Sequence, residues 1–253
     1  MPIGTQNLKA LILVGGTGTR LQPITFTTPK PLVPFVNKPM LEHQVEALAR
    51  VGVEEIVLAM NYKYKRIIDA VDNFSGRYGT KITYSLEKEP LGTAGPIALA
   101  REYLSGSTFF VLNSDVICEF PLDDLLDFHR RTARLGTILA TTVENPEKFG
   151  VIKTRKDSVL VEEFVEKPVV YVGNRVNAGI YVFESDVLQY FKSRPSSIEN
   201  EVFPLLATMQ QLCVYELQGF WMDIGTLEGY LKAQRLYLKN AQSPCARLGE
   251  DVV

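Results

Sequence analysis

Apolar and polar positions along this chain fall into two textures. In the first half, short and almost wholly apolar runs recur at Leu8–Val14, Glu55–Met60, Lys81–Leu86 and Thr108–Asp115. Each is too brief for a helix and apolar at odd and even positions alike, the pattern of a strand covered on both faces. Between them the period changes. Leu41, Val45 and Leu48 share one helical face, with Pro39 suited to the first turn and Gly52 to the stop. Ile67, Ile68 and Val71 mark a second helix over 64–74, and Pro96–Tyr103 a third built on small residues. Strands alternating with helices over short connections predict an open, mostly parallel, Rossmann-like α/β sheet. Ligands of such a sheet sit beyond the carboxyl ends of its strands. From about Ala140 the texture becomes extended runs and turns: Thr137–Val143, Val159–Val165 and Ala178–Phe183. A capped helix from Ser197, a strand over Leu212–Leu217 and a closing helix over Leu227–Lys239 follow.

The carboxyl end of the first strand meets Gly15, Gly16 and Gly18. Three missing Cβ atoms let backbone N–H groups close around an anion. The spacing is neither that of a P-loop, which needs a following Lys-Ser/Thr pair, nor the G-x-G-x-x-G of a dinucleotide turn. At the end of the second strand, where a dehydrogenase often places an acidic ribose ligand, this chain has Met60-Asn61-Tyr62. The glycines lead instead into Thr19-Arg20-Leu21, and a second cation, Lys30, is held between Pro29 and Pro31. A glycine nest with an Arg and a Lys on one stiff stretch suits a polyphosphate.

Composition narrows the class. The chain has 253 residues, 46% hydrophobic and 22% charged, enough for one large α/β domain. A formal net charge of −2 argues against nucleic acid as the main partner. Cys118, Cys213 and Cys245 show no metal spacing and cannot all pair, as expected of thiols in a reducing cytoplasm. No apolar run reaches membrane-spanning length, so no membrane association is expected.

The run G-G-x-G-T-R-L-x-P-x-T with a downstream P-K-P resembles the sugar-1-phosphate nucleotidyltransferases, also called nucleotide-sugar pyrophosphorylases. The segments N-S-D-V, E-P-L-G-T-A-G-P, V-N-A-G-I-Y and L-Q-G-F-W-M-D-I-G resemble the eukaryotic members that join GTP and mannose 1-phosphate into GDP-mannose and pyrophosphate. The resemblance implies a nucleotidyltransferase sheet of the glycosyltransferase-A-like type over residues 1–240, with extended segments over the sugar site. It also implies that 241–253 begin a left-handed β-helix that then stops. Assembly into an oligomer, with or without a regulatory paralogue, would follow in longer members. Pyrophosphorylases for UDP- or ADP-glucose, and a non-catalytic subunit that senses GDP-mannose, remain as alternatives.

The reaction sets the residue types it needs. A sugar phosphate is largely dianionic near neutral pH, its second pKa being about 6, so no general base is required. The protein must supply cations and alignment. That leaves His43 and His129 as structural or solvated groups. By resemblance, Arg20 and Lys30 stabilise the leaving pyrophosphate, and Leu13, Gly15, Gly16, Gly18 and Thr19 form the nucleotide loop. Magnesium needs hard oxygen ligands, and Asp115 and Asp223 fall in the motifs the family uses for it. The alternative for Asp115 is a helix N-cap after its strand, a role that Asp123 and Asp124 fit better. Lys167 would neutralise the sugar phosphate, with Gly150, Glu166 and Asn177 as sugar contacts. Gly92 and Thr93 belong to the base-reading loop, where Glu89 is either a solvated charge beside Lys88 or an acceptor for the N1–H and amine of guanine.

Overall fold

A computed structural model describes residues 7–61 and 65–239 of the chain. β1 (Leu8–Leu13) leads into the glycine loop, followed by a small hairpin of β2 (Pro34–Phe35) and β3 (Lys38–Pro39). Next come α1 (Met40–Arg50), β4 (Glu55–Asn61), α2 (Lys65–Tyr78) and β5 (Lys81–Glu87). The small-residue helix is broken at Ala100 into α3 (Gly95–Leu99) and α4 (Arg101–Leu104). Then follow β6 (Thr108–Asn113), β7 (Val116–Cys118), α5 (Leu122–Thr132), β8 (Gly136–Thr142), β9 (Gly150–Thr154), β10 (Val161–Glu166) and β11 (Arg175–Glu184). A π-helical turn at Ile198–Val202 precedes α6 (Phe203–Thr208), β12 (Leu212–Glu216), β13 (Trp221–Asp223) and α7 (Leu227–Lys239). The 241–253 segment expected to begin a β-helix lies outside the described residues. Among the described residues no helix is long and apolar enough to cross a membrane.

The central sheet is α/β and mixed, ordered β10-β9-β11-β6-β1-β4-β5, with β8 on β11 and β12 on β8. The half that the apolar runs predict, β6-β1-β4-β5, is parallel throughout. The extended segments of the second texture continue the same sheet through antiparallel β11, which borders β8 along one edge and β6 and β9 at different points of the other. Alternate residues of β1 serve opposite cores. Ala10 and Ile12 pack with α1, α2 and α5, while Leu11 packs with α3 and α6. This is why the run reads as continuously apolar. After β1 the chain moves outward through β4 to β5, then returns to place β6 on β1's other side. That reversal between β1 and β6 is the topological switch point where such sheets open a ligand crevice.

At the opposite end of the strands, Glu55 accepts from Lys81 at 2.7 Å, Lys9 at 3.0 Å and Thr83 at 2.7 Å. Burial alone would raise its pKa, but these donors outweigh it and hold the carboxyl at about 2, below the ordinary 4.5. A depressed carboxylate stabilises the fold above its unfolded pKa and loses that contribution as pH falls through the folded value. Glu55→Gln is therefore expected to lower unfolding free energy by about 2 kcal/mol at neutral pH. In paired urea titrations the gap should close between pH 4.5 and 2.

Candidate active site

A third, smaller core brings the charged groups together. Leu21, Ile117 and Ile224 are buried in it with Val33, Phe35, Met40, Tyr230 and Ala233. Each of the first three follows a candidate site residue by one or two positions: Arg20, Asp115 and Asp223. Burying the apolar neighbour therefore fixes where the charged one can point. Tyr230 of α7 anchors the assembly by donating to Pro34 O at 2.6 Å. β13 pairs antiparallel with β7, placing Asp223 opposite Val116, and Ile224 N donates to Asp115 O at 2.8 Å. Two carboxylates distant in sequence are thus neighbours.

The cations converge on the same point. Lys30, itself buried, donates to Asp115 Oδ2 at 2.6 Å. A Cβ placed on Gly225 would lie 2.8 Å from Asp223 Oδ1, 3.0 Å from Asp115 Oδ2 and 3.3 Å from Arg20 Nη2. Glycine at 225 is what lets the three side chains meet. Burial, and then the charge of Asp115, push the Asp223 carboxyl above the usual range, against the Gly225 N–H, Lys30 and Arg20. Among the described residues no group of three or more His, Cys, Asp or Glu forms a ready-made metal cage. Two adjoining carboxylates suit magnesium, which keeps several waters and takes substrate phosphates as further ligands.

The cleft beside this cluster is lined by Arg20, Asp115, Asp223, Gly150, Glu166, Lys167 and Asn177, and by Glu199 and Trp221. A Cβ on Gly150 would collide with the Phe164 ring and stand 2.9 Å from Glu166 Oε2, so the glycine leaves Glu166 its course into the cleft. Lys167 sits at φ 45, unusual for a side-chain-bearing residue, and its ammonium lies 3.1 Å from Glu166. Asn177 accepts from Gly179 N at 2.9 Å and donates to the Tyr181 hydroxyl at 2.8 Å. Trp221 donates to Ala178 O at 2.9 Å, tying β13 to β11 across the cleft floor.

The nucleotide-loop candidates border this cluster. Leu13 ends β1, Gly15 and Gly16 are exposed, and Thr19 opens a 3-10 turn after Gly18. Gly18 has φ +70, and a Cβ there would crowd Thr25 and Lys30, so the loop can fold back on Lys30 only with glycine. Glu89 is exposed past the end of β5. Glu87, the last residue of β5, is buried, and its Oε1 lies 3.2 Å from where a Gly15 Cβ would be. Its Oε2 accepts from Leu91 N at 3.0 Å, and burial pushes its pKa up against that bond. Gly92 and Thr93 dock on residues 196–199, with Thr93 N and Ala94 N donating to Ser196 O. Both histidines are structural, as expected. His43 bonds Phe35 O at 2.9 Å, and His129 lies buried between Thr137 and Glu184.

Gln44 was legible only as a polar break in the α1 face. It is fully buried and donates to Asn113 O at 2.8 Å and Val116 O at 3.2 Å, bracketing Asp115 from α1. Its Oε1 has no hydrogen-bond partner among the described residues. Gln44→Leu would take the side-chain donor from the Asn113 and Val116 carbonyls while removing one unpaired buried oxygen, a net destabilisation of about 1–3 kcal/mol by urea unfolding.

Residues 9–240 match the nucleotidyl transferase family. The chain belongs to that family. It is 50% identical over 237 residues to the mannose-1-phosphate guanylyltransferase catalytic subunit beta of Dictyostelium discoideum, covering 93% of this chain and 66% of that one. It is 53% identical over 236 residues to the mannose-1-phosphate guanyltransferase of Schizosaccharomyces pombe, covering 92% and 65%. The chain thus spans just under two thirds of the length of these relatives. Among solved structures it is similar to HddC from Yersinia pseudotuberculosis complexed with GMP-PN, at 29% identity and TM-score 0.72, covering 90% of this chain and 99% of that one. A UDP-glucose pyrophosphorylase complexed with UDP-glucose shares the fold at 22% identity and TM-score 0.76, covering 92% and 98%.

Proposed function

We propose that this nucleotidyl transferase converts GTP and mannose 1-phosphate into GDP-mannose and pyrophosphate. The observation that carries this reading is the convergence of Arg20, Lys30, Asp115 and Asp223 beside a cleft that also holds Glu166 and Lys167. The names of the relatives support the substrates, and the guanine nucleotide bound to HddC supports the base.

A non-bridging oxygen of the sugar phosphate attacks the α-phosphorus. The bond from that phosphorus to the α–β bridging oxygen breaks, and pyrophosphate leaves with the electron pair. Lys167 pairs with the incoming phosphate, offsetting its repulsion by the triphosphate. Arg20 and Lys30 stabilise charge developing on the leaving group, with N–H groups of the glycine loop as further donors. Asp115 and Asp223 would hold a magnesium ion, which supplies Lewis-acid neutralisation of phosphate charge. Glu87, rather than the exposed Glu89, reads the guanine edge: an acceptor-only carboxylate at the rim of the glycine loop matches N1–H and the amine. We place the reaction in the cytoplasm, in keeping with three cysteines that show no pairing pattern.

The test is pyrophosphate release with magnesium, pairing GTP, ATP, UTP and dTTP with mannose 1-phosphate and glucose 1-phosphate. Release strongest with GTP and mannose 1-phosphate is expected. A different preferred pair would overturn the substrate assignment, and silence with every pair would overturn catalysis by this chain.

A further inference from the structure

The turn Gly92-Thr93-Ala94-Gly95 has the sequence of a nucleotide loop but is riveted to the sugar end of the cleft. Thr93 N and Ala94 N both donate to Ser196 O, each at 3.1 Å, and Ser196 N returns a bond to Leu91 O at 3.1 Å. A Cβ on Gly92 would strike Ser196 O, and one on Gly95 would lie 2.5 Å from Arg194 O. The glycines are therefore required by this docking, whatever else the turn does. The Thr93 hydroxyl accepts from Ile198 N at 2.9 Å and donates to Glu199 Oε2 at 2.6 Å. Ser197 donates to the same Oε2 at 2.7 Å.

Glu199 shares the cleft with Glu166, Lys167 and Asn177. Two hydroxyl donors on one oxygen fix the rotation of its carboxylate. Its charge reaches Tyr181, whose phenol is pushed well above the usual range first by burial and then by Glu199. Tyr181 in turn holds Asn177. Asn177, Tyr181 and Glu199 are thus parts of one wall, and Glu199 adds to it an acceptor-only group suited to sugar hydroxyls.

We infer that Glu199 is a specificity residue for the hexose and that Thr93 is the positioning residue that aims it. The Gly92–Gly95 turn then governs sugar selection rather than base selection. This rests on the proposed nucleotidyl transfer. The two fail differently: an inactive wild-type chain removes both, whereas an active one tests Glu199 and Thr93 by themselves.

The experiment is steady-state pyrophosphate release by wild type, Glu199→Gln, Thr93→Val and Thr93→Ser, varying GTP, mannose 1-phosphate and glucose 1-phosphate in turn. Thr93→Val keeps the shape and removes the donor. It is expected to raise the KM for mannose 1-phosphate about five- to tenfold, the worth of one ordinary hydrogen bond, since Ser197 still holds the same carboxylate oxygen, with the KM for GTP unchanged. Glu199→Gln should do the same and narrow the ratio of kcat/KM between the two sugar phosphates. Thr93→Ser, which restores the hydroxyl, should recover the wild-type KM. Thermal melts accompany each variant. A lowered melting temperature with both KM values unmoved would show the pair to be a structural rivet only and overturn the inference. A change confined to the KM for GTP would also overturn it, by returning the turn to the nucleotide.

Discussion

Asp115→Asn is expected to lower pyrophosphate release by about a thousandfold, the scale seen when a preorganised charge partner of a transition state is removed. The substitution keeps the shape and one acceptor oxygen, so the loss reads charge. The Asp115 carboxylate accepts from buried Lys30 at 2.6 Å and faces Asp223 and Arg20 across the space that Gly225 leaves open. Neutralising it would weaken the proposed magnesium site and leave the Lys30 ammonium without its counter-charge. The second effect costs stability, about 3 kcal/mol for a broken buried pair. Asp223→Asn separates the two effects. Burial and Asp115 raise the Asp223 carboxyl, so its ionised form is disfavoured in the folded state. A raised acid pKa costs stability above the folded value, and that cost fades as pH falls through it. Metal-free Asp223→Asn should therefore melt at or above the wild-type temperature at neutral pH while losing activity as Asp115→Asn does. A melting loss in both variants, or activity retained in either, would sink the shared-site reading.

The contrast between these two aspartates also marks how far the sequence could be read. β1, α1, β4, β5 and β6 were visible because local periodicity and burial on both sheet faces leave a signature within a few residues. The Arg20–Lys30 loop was visible because its cations lie close together along the chain. Asp223 reaches Asp115 only through the β13–β7 pairing and the burial of Ile224, a tertiary event that spacing does not encode. The later strands were recognisable as extended, but not as members of the same sheet. Their order depends on β11 running antiparallel between β6 and β8. Gln44 and Glu199 were hidden differently. One looks like a blemish on an amphipathic helix and the other like part of a helix cap, until their partners are in place.

Glu87→Gln is expected to cut kcat/KM for GTP about a hundredfold, the result of replacing an acceptor with a donor against a base edge. Glu87 and Glu89 carry the same group two residues apart, and the end of β5 decides between them. The strand runs through Glu87, so that residue is held at the sheet's rim under the glycine loop, and Leu91 N folds back onto its Oε2. Glu89 falls in the exposed turn beyond. With Oε2 engaged by Leu91, Oε1 is the oxygen nearest Gly15 and the one placed to meet a base. The two lone pairs of Oε1 can accept from guanine's N1–H and amine. An amide presents one acceptor and one donor, which suits the imide of a pyrimidine instead. Activity with UTP or dTTP should therefore rise relative to GTP in Glu87→Gln. In Glu89→Gln the GTP preference should stay as in the wild type. Because burial raises the Glu87 pKa, the ionised acceptor is lost at a higher pH than for an ordinary glutamate. Preference for GTP should accordingly weaken on the acid side in the wild type but not in the amide variant. Competition assays with mixed GTP and UTP across pH would read both effects. An unchanged base ratio in Glu87→Gln, or a collapse in Glu89→Gln, would move base selection to another residue.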